Sequence, residues 1–130
     1  SKNNIRFLGV MSEKNLIKEF LNSDIYIHPS HIENDCNSVI EAMVLGVPVI
    51  ANFVGGIRSL LRDNETGLLV QGDDSLQMVA RIVELKNNYN KAKLLGQNAR
   101  RSALKKFNSV NSANQLVGIY EEILRLEQIR

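Results

Sequence analysis

The chain has 130 residues, 44% of them hydrophobic, which suits one domain with a modest core and excludes a disordered or fibrous class. A net charge of +2 and 5% aromatic residues lack the basic, aromatic-interleaved pattern of a nucleic-acid binder. The single cysteine, Cys36, excludes an internal disulfide and fits a reducing, cytoplasmic compartment.

Ile5–Leu8 predicts a first strand, ended by Gly9. Ser12 is placed to cap a helix whose Leu16, Ile17, Phe20 and Leu21 share one face. Ile25–His28 predicts a second strand, stopped by Pro29. After a polar loop a helix is expected from about Asn37 to Leu45, ended by Gly46, and Pro48 opens a strand over Val47–Ala51. The apolar run Ala42–Ala51, broken by Gly46 and Pro48, is well short of the roughly 20 residues of a membrane span. A Gly55-Gly56 turn leads into a short helix through Leu61, Asp63–Gly67 carries turn chemistry, and Leu68–Val70 is the last strand. Ser75–Leu85, Lys91–Lys106 and Ser109–Arg130 read as helices with apolar stripes.

Strands alternating with helices predict an α/β fold: a partial Rossmann-like parallel sheet of about four strands, flanked by helices. Ligands in such sheets sit at the carboxyl ends of the strands. That directs attention to the loop from Pro29 into the helix at Asn37. The amides of Asn37, Ser38 and Val39 would lack intrahelical acceptors there, and the helix dipole adds partial positive charge, a combination suited to phosphate. Glu41 shares a face with Asn37 and Ser38, and its side chain leans toward the helix start. A carboxylate there suits the two vicinal hydroxyls of a ribose. Glu33 lies in the loop before the helix, where a group beyond a diphosphate would sit. The plainer alternative is ordinary capping by Asn34 or Asp35, with Glu33 a solvated loop acid.

These residues resemble a known family. Ile5–Gly9 is similar to its "V-x-F-L-G" strand, and Asp24–Ser30 to "D-I-x-V-x-P-S". Glu33, seven intervening residues, and Glu41-Ala42-Met43 resemble its pair of glutamates. Gly46–Ala51 resembles "G-x-P-V-I-A", followed by paired glycines at Gly55-Gly56, and Thr66–Val70 resembles "T-G-L-L-V". Phe107 and Tyr120 match positions of its closing helix. The chain is thereby identified as similar to the C-terminal domain of the family 4 glycosyltransferases, which have the two-Rossmann-domain GT-B fold.

The resemblance implies a transferase that moves a sugar from a nucleoside diphosphate sugar to a glycan or lipid-linked acceptor, with retention of configuration and no metal or other cofactor. It gives Glu33 the donor sugar and an assisting role in catalysis, and Glu41 the ribose. Cys36, Asn37, Ser38, Val39 and Ser30 fall in the donor-binding stretch, and Gly9, Val10 and Met11 would pack on the base. Expectation from the family also favours polysaccharide or lipid-linked oligosaccharide assembly in the cytoplasm, at the inner face of the membrane.

Three departures stand out. Asp35 and Cys36 replace an aromatic and a glycine common after the first glutamate. Arg58 and Ser59 replace a proline and glutamate after the paired glycines, and Arg58 is a candidate to meet a phosphate or an acidic acceptor; its plainer reading is a solvated arginine. The family's domain also normally begins with two more strands, which carry an arginine and a lysine that neutralise the diphosphate. Residues 1–130 are therefore expected to be a single donor-binding domain in fragment form, without the acceptor domain and inactive alone. Ile5–Leu8, without its usual neighbour, would pair with the sheet edge at Ile25–His28 or exchange with a second copy.

Smaller features have plain readings beside the functional ones. His28 ends a strand toward the cleft, where it could meet the donor or simply pack; His31 is weaker. Cys36 at a helix start could have a lowered pKa or be a small neutral residue. Arg100, Arg101, Lys105 and Lys106 form a basic face, for anionic lipid or for solvent. Competing functions are an epimerase or phosphorylase of similar fold, and a non-catalytic nucleotide-sugar-binding module.

Overall fold

Three short strands build the centre of the computed structural model, which describes residues 4–34, 36–72, 74–108, 110, 117, 118 and 125. They are β1 (Tyr26–His28), β2 (Val49–Asn52) and β3 (Leu68–Val70), all parallel in the order β1-β2-β3. Tyr26 stands opposite Val49 and Ile50 opposite Leu68. Every residue of β2 and β3 is buried, as a parallel sheet covered on both faces requires.

Helices α1 (Glu13–Leu21), α2 (Asn37–Leu45), α3 (Ile57–Leu60), α4 (Ser75–Asn87) and α5 (Tyr89–Lys106) supply the cover. Alternation along the strands separates two cores. Val49, Ala51 and Leu69 pack with Val39, Ala42 and Met43 of α2, Ile57 of α3, and Ala99 and Ala103 of α5. Ile50, Leu68 and Val70 pack with Leu85 of α4 and with Ala92 and Leu95 of α5. Helix α5 therefore serves both cores. It can do so because Gly96 lies against the turn that ends α2: a Cβ on Gly96 would stand 2.2 Å from the Gly46 carbonyl oxygen. Gly46 itself has φ of 78°, the left-handed C-cap that stops α2 before β2. Arg100 reaches across to donate to the Val44 carbonyl at 2.9 Å, placing positive charge at the C-terminus of α2.

Several elements lie where the pattern predicts, with shifted ends. The second strand begins at Tyr26 and the third runs Val49–Asn52; α4 extends to Asn87 and α5 starts at Tyr89. Asn88 separates these two helices and caps α5, its side chain accepting from the Lys91 amide at 3.0 Å. The closing helix expected from Ser109, with Tyr120, lies outside the described residues.

The first strand is a correction. Residues 5–9 belong to no strand, and the described sheet has three strands rather than about four. Ile5 and Val10 are exposed, and Phe7 is 96% exposed. An extended segment becomes a strand only by exchanging backbone hydrogen bonds with a neighbour. Ile5–Leu8 finds none, and it does not take the outer edge of β1. Its described tie is an exposed ion pair from Arg6 to Glu19 of α1 at 3.0 Å.

Candidate functional site

Loop and helix meet at the carboxyl end of β1. Ile40 donates its amide to the Cys36 carbonyl at 3.0 Å, which makes Cys36 the N-cap and Asn37, Ser38 and Val39 the first three helical residues. Their amides have no acceptor within the helix and point out of its N-terminus. Cys36, not Asn34, is the N-cap residue, and its own side chain makes no cap hydrogen bond; Asp35 lies outside the described residues.

Glu33 is held from two directions. Its carbonyl accepts from the Gly56 amide at 3.2 Å, in the turn after β2. Gly55 has φ of 44°, and a Cβ there would sit 1.8 Å from the Glu33 carbonyl oxygen; one on Gly56 would sit 2.7 Å from that of Asn34. The paired glycines let the two loops touch backbone to backbone. On the side-chain end, Glu33 Oε2 lies 2.9 Å from His28 Nε2, with 20% and 13% of the two side chains exposed.

That pair continues inward. His28 Nδ1 lies 3.0 Å from Tyr26 Oη, which donates to Ser38 Oγ at 3.0 Å. Tyr26 and His28 are two apart on β1, so both project on the α2 side of the sheet. The Tyr26 ring stands edge-on to Phe20 at 5.1 Å between centroids. Burial, partly offset by the Ser38 hydrogen bond, raises the Tyr26 hydroxyl above its ordinary pKa, and the charges of Glu33 and Glu41 push the same way.

Glu41 is exposed on α2. It lines a cleft of about 190 Å³ between α1 and α2, with Glu13, Leu16, Ile17, Ile40, Val44 and Leu45. Ser30 turns inward on its own loop: its hydroxyl donates to the Ile32 carbonyl at 2.9 Å, and its carbonyl accepts from the buried Asn52 side chain at 3.3 Å. Gly9 and Val10 are exposed, and a Cβ on Gly9 would meet nothing within 4 Å, so neither is brought against the other candidates. Cys36 is only 3% exposed and packs in the α2-side core beside Gly56. The reversal of the loop against the paired glycines turns that residue inward.

His28 engages Glu33 and Tyr26 through both ring nitrogens, so neither nitrogen is left to meet a ligand directly. Arg58 stacks over the Phe53 ring, 4.7 Å from its centroid, in the turn after β2. In the basic face, Arg100 bonds Val44 and Lys106 bonds the Ser59 carbonyl, so two of its four members have protein partners. Among the described residues no group of three His, Cys, Asp or Glu side chains could hold a metal ion, and no helix is long and apolar enough to cross a membrane.

Pattern reasoning left Tyr26 and Asn52 unassigned. The Tyr-x-His alternation was the available signal for the first. For the second there was none, because its partner is 22 residues away.

Comparison with known proteins extends this picture. The family model described as "Glycosyl transferases group 1" matches residues 1–102. A GDP-mannose-dependent alpha-mannosyltransferase of Mycolicibacterium smegmatis is 34% identical over 125 residues, 95% of this chain and 32% of its own length. Among solved structures, sucrose-phosphate synthase from Thermosynechococcus elongatus superposes with a TM-score of 0.83 at 29% identity, over 95% of this chain and 31% of that one. Anabaena HepE, solved with UDP-glucose, gives 0.82 at 24% identity over 93% and 33%, a likeness of fold. The chain spans about a third of the length of these proteins.

Proposed function

This chain belongs to the group 1 glycosyl transferases, and from that premise we propose that it forms the donor site of a retaining transferase acting on a nucleoside diphosphate sugar. The acceptor is a glycan or a lipid-linked sugar, presented at the cytoplasmic face of a membrane by parts of a longer protein, and this domain alone is inactive. The name of the mannosyltransferase relative supports a nucleotide-sugar donor. One observation carries the reading: a helix start with three outward amides, flanked by Glu33 and Glu41, stands at the carboxyl end of β1.

The roles follow from charge and reach. Breaking the bond between the anomeric carbon and the diphosphate oxygen leaves negative charge on the departing nucleotide. Fixed amides of Asn37, Ser38 and Val39 and the dipole of α2 stabilise that charge without reorganising. Glu41 accepts from the ribose hydroxyls at the mouth of the α1–α2 cleft, whose apolar wall takes the base. Glu33 faces the sugar. No metal is required in this scheme, because amides and the helix end meet the developing charge.

In the full-length protein, Glu41→Gln is expected to raise the donor KM about tenfold, the cost of a charge-assisted hydrogen bond. Glu33→Gln is expected to lower kcat with a smaller change in KM. Steady-state kinetics with GDP- and UDP-sugars check both. Unchanged transfer in both variants would overturn the site.

A further inference from the structure

We propose that His28 is a positioning residue that aims the Glu33 carboxylate, acting through a hydrogen-bonded chain that ends on the first turn of α2; the proposal rests on the reading of Glu33 above. Backbone contacts alone do not fix that carboxylate. The Gly56 amide holds the Glu33 carbonyl, but a glutamate side chain beyond its Cα still has three rotatable bonds. The His28 Nε2 contact removes that freedom by committing Oε2 at 2.9 Å. Oε1 is then the oxygen through which the carboxylate meets a donor.

The imidazole is itself fixed. It is only 13% exposed, and its far nitrogen is 3.0 Å from Tyr26 Oη. Tyr26 is in turn pinned by Phe20 and by Ser38, whose backbone amide belongs to the proposed phosphate cradle. The chain Glu33–His28–Tyr26–Ser38 therefore ties the two parts of the donor site to one strand. Two proton arrangements satisfy it. When Tyr26 donates to Ser38, both imidazole nitrogens carry hydrogen and donate, to Tyr26 and to Glu33. When the tyrosine proton turns to Nδ1, the ring is neutral with hydrogen on Nε2, and Ser38 donates to Tyr26. In both, Nε2–H faces Glu33. His28 is a positioning residue and not a catalytic one, because both of its ring nitrogens are committed to Tyr26 and Glu33.

The test is a double-mutant cycle in the full-length protein, read as kcat and donor KM. His28→Ala is expected to lower kcat about 10- to 100-fold with little change in KM, the scale of a misplaced reacting group. His28→Gln, which can return an N–H near the same point, is expected to recover much of that loss. In a Glu33→Gln background, His28→Ala is expected to add less than about twofold, since residues that act through one another do not have additive effects. Full multiplication of the two losses would overturn the proposal, as would a KM effect alone or His28→Gln no better than alanine. An unchanged His28→Ala enzyme beside a crippled Glu33→Gln enzyme sinks only this proposal. Intact transfer by Glu33→Gln sinks the parent reading with it.

Discussion

Replacing Gly55 by alanine tests whether the Glu33 loop is held by the turn after β2. Two effects combine. Alanine at φ of 44° sits in the left-handed region, which costs about 1–2 kcal/mol without any contact. The new Cβ also falls 1.8 Å from the Glu33 carbonyl oxygen, and that neighbour is backbone, which cannot swing aside like a flexible side chain. The loops must part, and the Gly56–Glu33 hydrogen bond is lost, worth about 1 kcal/mol. A total of about 2–4 kcal/mol is expected, seen as a loss of several degrees in thermal unfolding. Displacement of Glu33 by roughly 1 Å should cut kcat on the order of 100-fold in the full-length protein. Gly72 is the control: its φ is 56°, yet a Cβ there meets nothing within 4 Å. Gly72→Ala should therefore show the strain of about 1–2 kcal/mol and no loss of kcat. Equal losses of stability in the two variants, with activity kept in both, would refute the packing argument.

Gly96→Ala reverses the usual helix rule. Alanine normally stabilises a helix interior over glycine by about 1 kcal/mol, but here the added carbon lies 2.2 Å from the Gly46 carbonyl oxygen. Net destabilisation in urea unfolding is expected, and a gain would show that α5 can move off α2. Glu84 supplies a pH test. The Lys91 hydrogen bond first and that of Arg81 second hold its carboxyl below the ordinary value. A depressed folded pKa contributes stability above the unfolded value and loses it as pH falls through the folded one. The unfolding-temperature advantage of wild type over Glu84→Gln should thus be present at pH 7 and fade below about pH 4.5. An advantage that persists in acid would mean the pair works by packing.

Much of the chain's local chemistry was legible in its sequence. Gly46 had to end α2, and the helix from about Asn37 follows from where the polar loop gives way to an apolar run, although the face it buries is Val39, Ala42 and Met43. The family resemblance carried Glu33, which spacing alone could not separate from a solvated acid. What stayed hidden needed a partner distant in sequence. Ile5–Leu8 has strand composition, but composition does not provide a neighbouring ladder. Cys36 is buried because Gly56, 20 positions on, presses the loop inward. The His28–Glu33 contact depends on how the loop folds back on its own strand, and no periodicity encodes that.

The contact between the Gly55-Gly56 turn and the Glu33-Asn34 backbone also defines what can be transplanted between relatives. A swap of residues 30–37 alone would carry the glutamate but leave behind the surface against which its backbone is shaped. The movable cassette is two loops together, 30–37 with 53–56. Under the donor role proposed for Glu33, variation aimed at new sugars should be recombined in those pairs, with His28 retained as the fixed point.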